Sequence, residues 1–118
     1  MQVRSRDVAE PFTTADGSTI RVLLDAELAG ARNQSLAEAT LAPGQTTERH
    51  YHAETEEIYL VLTGTGEMEV ERARRQVGPG EAVLIPPGAW HQIRAGDAEL
   101  RFLCCCAPPY RHEDTFFA

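Results

Sequence analysis

The chain has 118 residues, of which 42% are hydrophobic, 25% charged and 7% aromatic, the composition of one globular domain with no room for a second. Its 11 basic residues, every one of them Arg, stand against 18 acidic ones for a formal charge of −7. That balance excludes a phosphate-tracking surface for nucleic acid, and the lack of Lys removes Schiff-base chemistry and the lysine-dependent phosphate loop.

Short apolar or alternating runs, each closed by Gly, Pro, Asp or Asn, predict an all-β fold, since no helical period is sustained along the chain. Predicted strands run Thr19–Leu24, Leu36–Leu41, Thr47–His52, Glu57–Leu62, Glu67–Glu71, Ala82–Ile85, His91–Arg94 and Glu99–Cys105. Asp16-Gly17, Pro43-Gly44, Gly64-Thr65-Gly66, Gly78-Pro79-Gly80, Pro86-Pro87-Gly88 and Gly96-Asp97 punctuate them at the close spacing of a sandwich or barrel. Ser35 and Glu38 have the spacing of a helix capping box, but the run ending at Pro43 leaves too little room for a helix and reads as strand. The tail, residues 107–118, holds two consecutive prolines and an aromatic end and is expected to pack as an arm or stay mobile, with His112 at the surface.

The N-terminal segment Met1 to Asp7 lacks the apolar stretch of a signal peptide, and no run reaches the roughly 18 apolar residues of a membrane span. A cytoplasmic protein without a membrane partner is expected. Cys104, Cys105 and Cys106 are consecutive and odd in number, which suits reduced thiols rather than a disulfide framework. Asn33-Gln34-Ser35 matches a glycosylation acceptor, a coincidence for a chain without a secretion route.

The chemistry concentrates in three of the four histidines. His50 and His52 lie two apart in a predicted strand, so both rings project from one face as a chelating pair. Glu57 opens the next strand, and an antiparallel hairpin would bring its carboxylate beside them. His91 follows the rigid Pro86-Pro87-Gly88 turn and is placed to supply a fourth ligand if the sheet closes on itself. The rival carboxylate Glu56 points away by parity, with Ile58, Leu60 and Leu62. Tyr59 and Val61 share the face of Glu57, and Leu100, Phe102, Cys104 and Cys106 form the inward face of the last long strand. Trp90 points opposite to His91, toward packing or the rim. The outward set Ile58, Leu60 and Leu62 is too apolar to face water and calls for a further covering layer.

The pattern Gly44, five residues, His50-x-His52, four residues, Glu57, six residues, Gly64 resembles the first motif of the cupin superfamily. Gly80, five residues, Pro86-x-Gly88, two residues, His91 resembles the second, which commonly ends in Asn where this chain has Ala95. The resemblance is to small single-domain cupins, with motif one over 44–64 and motif two over 80–95. It implies a double-stranded β-helix, or jelly-roll barrel, over 1–118 and a homodimer. It also implies one divalent transition metal, Mn, Fe, Ni or Co with Zn admissible, on His50, His52, Glu57 and His91.

Three neutral imidazoles and one carboxylate would leave such an ion one net positive charge and, at six-coordination, two adjacent open positions. Two functions follow. One is a metal-dependent enzyme on a small oxygen-rich organic substrate, for which the resemblance to cupins implies dioxygenase, decarboxylase or isomerase type, with Tyr59 as proton donor or positioning group, or merely as a barrel-lining aromatic. The other is a module that binds a sugar or carboxylate without changing it.

Overall fold

Alternation in the sequence becomes alternation in burial. Along β5 (Glu56–Thr63), Glu57, Tyr59 and Val61 are buried while Glu56 and Ile58 are exposed, because a strand sends successive side chains to opposite faces. The computed structural model describes residues 1–118. Its other strands are β1 (Phe12–Thr13), β2 (Thr19–Leu24), β3 (Ser35–Leu41), β4 (His50–His52), β6 (Gly66–Val70) and β7 (Ala73–Val77). They continue with β8 (Ala82–Ile85), β9 (His91–Ala95), β10 (Leu100–Ala107) and β11 (Thr115–Phe117). One sheet has the order β1-β2-β3-β10-β5-β8 and the other β11-β4-β9-β6-β7, and every pairing is antiparallel. This is the expected jelly-roll barrel.

The core fills the space between the sheets. Leu41, Val61, Ile85, Ile93, Leu100 and Phe102 are each at most 1% exposed, and burying such a side chain is worth about 1.5–3 kcal/mol. Gly64 sits at φ +80°, and a Cβ there would overlap the carbonyl oxygen of Glu99, so only glycine turns the chain between β5 and β6. Ala95, where the second motif commonly has Asn, is buried, and its N–H donates to the Gln45 carbonyl at 2.9 Å.

The structure adds the short strand β1, differs from the predicted elements in three further places and settles the tail. A single helical turn, α1 (Ala26–Ala29), follows β2, capped by the Asp25 carboxylate on the Leu28 N–H at 2.7 Å. Strand β7 was not expected because Arg74, Arg75 and Gln76 are exposed. It is an edge strand, whose charges keep another chain from pairing with it. The predicted strand from Thr47 forms ladder only at His50–His52, while Thr47 itself is buried and bonds Ile93 through backbone and hydroxyl. The tail packs: β11 pairs with β4, setting Thr115 opposite His52 and Phe117 opposite His50. As expected, residues Ser35 to Leu41 form a strand and no helix.

Candidate metal centre

Antiparallel pairing of β4 with β9 sets His50 directly opposite His91, with ring centroids 4.2 Å apart. His52, two residues along, presents its ring on the same face, 5.1 Å from His50 and 5.5 Å from His91. One donor atom from each ring lies within 4.8 Å of the others, and all three residues are at most 4% exposed.

Each ring is held by its outer nitrogen. His50 Nδ1 meets the Glu48 carbonyl at 2.7 Å and His91 Nδ1 meets the Ala89 carbonyl at 3.0 Å. His52 Nδ1 lies 3.2 Å from Thr115 Oγ1, whose own proton goes to the Arg111 carbonyl at 3.2 Å. With acceptors on all three outer nitrogens, the neutral rings carry their protons at Nδ1 and turn bare Nε2 lone pairs inward.

Glu57 reaches this cluster by a route other than the expected hairpin. Strands β4 and β5 belong to different sheets, and the carboxylate crosses the interior between them. The connecting residues are fixed by the tail, where the buried Asp114 carboxylate accepts the N–H groups of Ala53, Glu54 and Thr55 at 3.1–3.2 Å. Glu57 Oε1 then lies 3.3 Å from His52 Nε2 and 3.4 Å from His91 Nε2, while Oε2 accepts the Cys106 thiol proton at 3.3 Å. Of the two carboxylates that parity separates, Glu57 is buried beside the rings and Glu56 is exposed. Cys104 and Cys106 face inward as expected, but Cys106 meets the carboxylate, and the donor cluster holds imidazoles only.

A bare Nε2 and a carboxylate oxygen are both acceptors, and neither Glu57 Oε1 nor His91 Nε2 has a hydrogen-bond partner, though both are fully shielded from solvent. Buried acceptors facing one another across about 3 Å are what two neighbouring ligands of one six-coordinate ion look like, at bond lengths near 2.1 Å. The donor set therefore fits a divalent cation. In its absence a proton must reconcile the pair. Burial works to lower the His52 value, yet Glu57 and the charge of Asp114 raise it above the ordinary imidazole range. Burial likewise opposes ionisation of Glu57, but its contacts with His52 and His91 hold the carboxyl down at about 2. His50 moves the other way, lowered by burial and by neighbouring His91.

Tyr59 lies on the same face as Glu57, buried, with its ring 4.6 Å from Phe102 and 6.1 Å from His91. Burial, and then the charge of Glu57, push its phenol well above the ordinary value, so the group keeps its proton. Beside it opens a cavity of about 90 Å³, touched by His50, His52, Glu57 and Tyr59. Trp90 packs outside, against Tyr51 at 4.7 Å and under the Arg49 guanidinium at 5.0 Å, and His112 is exposed.

What sequence reasoning missed is the ring of supports, above all Thr115 and Asp114. Neither stands near the motifs in the chain, and only the pairing of β11 with β4 brings them there.

A family profile described as a cupin domain matches residues 37–106. An uncharacterised protein, MJ1618 of Methanocaldococcus jannaschii, is 43% identical over 92% of this chain and 88% of its own length. Protein SchB of Streptomyces halstedii is 31% identical over 78% of this chain and 67% of its own. Among solved structures, the polyketide cyclase RemF from Streptomyces resistomycificus superposes with a TM-score of 0.79 at 28% identity, over 97% of this chain and 89% of that one. Other relatives carry the names of a dioxygenase and a lyase, matched over 16% and 53% of their lengths.

Proposed function

The chain belongs to the cupin family, and from that premise we propose that it is a metal-dependent enzyme acting on a small oxygen-rich organic molecule. The observation that carries this reading is the pair of solvent-shielded, unpartnered acceptors, Glu57 Oε1 and His91 Nε2, set among two further inward-turned imidazoles. His50, His52, Glu57 and His91 hold one divalent ion, Mn, Fe, Ni or Co, with Zn admissible. When bound, that ion supplies Lewis-acid polarisation of substrate oxygens, and redox chemistry if it is iron. The chain's own groups do the rest. Glu48, Ala89 and Thr115 aim the rings, Cys106 fixes the carboxylate, and the walls of the cavity exclude water. The Tyr59 phenol, kept protonated, donates a hydrogen bond to a substrate oxygen, a role its burial and its place beside Glu57 support. Relatives named as cyclase, dioxygenase and lyase support an enzyme of this breadth.

The protein works in the cytoplasm, a reading its three free cysteines support, and as a homodimer, supported by the apolar outer face of β5 and β8, where the cross-strand partners Ile58 and Leu84 are 41% and 57% exposed. The test of activity is turnover by metal-loaded protein of a panel of diketones, hydroxy acids and hydroxyaryl ketones, with and without dioxygen, followed by mass spectrometry. Product formation that Tyr59→Phe slows at least about tenfold, a loss within the range for one positioned proton donor, is expected. Tight binding with every ligand recovered intact would instead favour a non-catalytic binding module.

A further inference from the structure

The cavity beside the candidate metal centre has an unusual charge balance. Three carboxylates line it, Asp16, Asp25 and Glu57, and none of the chain's 11 arginines does. Strand parity explains the exclusion. On β2, Ile20 and Val22 line the cavity while Arg21 between them turns out to the Ala9 carbonyl at 2.9 Å. On β10, Phe102 lines it while Arg101 turns out to Glu38 at 3.2 Å. Neither Asp16 nor Asp25 forms an ion pair. Asp16 takes the N–H and hydroxyl of Ser18 at 2.9 and 2.6 Å, and Asp25 caps α1. Both aspartates are half-buried, where water screens their charge less than at an exposed site. Even with a divalent ion bound, the cavity stays negative.

A second observation concerns size and surface. Phe12, Tyr110 and Phe117 touch the cavity yet are 49%, 41% and 37% exposed, so they mark its mouth as an aromatic lip. The interior, about 90 Å³, suits the reacting end of a ligand, and the lip offers flat apolar surface to the remainder.

We propose that the cavity selects uncharged, planar, apolar ligands that present two adjacent oxygens to the metal, and that it discriminates against carboxylates and phosphate esters. A carboxylate or phosphate entering here meets two aspartates and no basic side chain to offset them. A hydroxyaryl carbonyl enters uncharged, offers its two oxygens to the ion and rests its ring on Phe12 and Phe117, and once its phenol proton leaves on chelation it still carries one negative charge fewer than the matching carboxylate. This substrate class rests on the metal-centre reading above.

The test uses Co(II)-loaded full-length protein at pH 7, with cobalt content measured first by mass spectrometry and ligand binding read from the visible spectrum. Salicylamide and salicylate are the probes, alike in shape and chelating oxygens and different in one charge. Each is measured against its own affinity for free Co(II) in water, which removes intrinsic chelation. Relative to that reference the protein should favour salicylamide by at least about tenfold, the scale of one unit charge acting through partly buried surroundings. In the Asp16→Asn/Asp25→Asn variant, which keeps the cap and the Ser18 turn, salicylate should gain about tenfold and salicylamide change less than about twofold. Salicylate held as well as salicylamide by the loaded native protein, or a preference that the double variant leaves in place, overturns the inference. The native comparison decides alone if the variant fails to fold. A protein that takes up no cobalt contradicts the metal-centre reading itself, and the cobalt assay separates that result from the others.

Discussion

His52 Nε2 and Glu57 Oε1 face each other at 3.3 Å, the carboxylate oxygen shielded from solvent, and two acceptors at that distance call for a proton or a metal ion. In metal-free protein the proton resides on His52, whose value is raised by Glu57 against the opposing effect of burial. The raised His52 value contributes stability that is complete below the unfolded imidazole value of 6.5 and lost as pH rises through the folded one. Glu57, depressed to about 2, contributes stability present above its unfolded value of 4.5 and lost only as pH falls through about 2. Metal uptake expels the shared proton. Calorimetry in buffers of differing ionisation enthalpy should register about one proton released per ion at pH 6, declining as pH climbs through the raised His52 value. Uptake without proton release at pH 6 would mean that the ion displaces no proton from His52.

At the scale of elements, the C-terminal segment orders the site more than its position in the chain suggests. Strand β11 lies along β4, Thr115 braces His52, and Asp114 gathers three backbone N–H groups of the link between β4 and β5. Removing the carboxylate leaves those donors unpaired, the buried Thr55 N–H among them, so Asp114→Ala should cost about 2 kcal/mol in denaturant unfolding and Asp114→Asn roughly half of that. A loss below about 0.5 kcal/mol for Asp114→Ala would show that water replaces the carboxylate there. This element was half legible in the sequence. Two prolines and an aromatic end left an arm and a mobile tail equally open, because the partners of Asp114 and Thr115 lie about sixty residues upstream and leave no local pattern. Strand β7 hid for a different reason: exposed arginines suppress the alternation that identifies a strand, although an edge position tolerates them. The candidate ligand residues were readable because two-residue parity is local. His50, His52 and Glu57 were therefore expected to converge, and the structure brings them together, whereas the membership of β4 and β5 in different sheets was beyond that rule.

For the whole molecule, an all-β sandwich or barrel was legible from the density of turn glycines and the brevity of the apolar runs, and the resemblance to cupins narrowed it to the jelly roll. Gly44, Gly64, Gly80 and Gly88 all adopt positive φ. The outer apolar face was also foreseen, and Ile58 and Leu84 stand exposed on it as a cross-strand pair. Light scattering should give twice the 13.0 kDa chain mass, reduced to that of one chain by Leu84→Glu, and a native mass of 13.0 kDa would refute the dimer. Metal content tests the centre directly. Protein purified from metal-replete cells should carry about one divalent transition ion per chain, and His52→Ala/His91→Ala should lose it while circular dichroism still reports the folded barrel. A native chain that stays metal-free after exposure to Mn, Fe, Co, Ni and Zn, or a folded double variant that keeps its ion, would contradict the account.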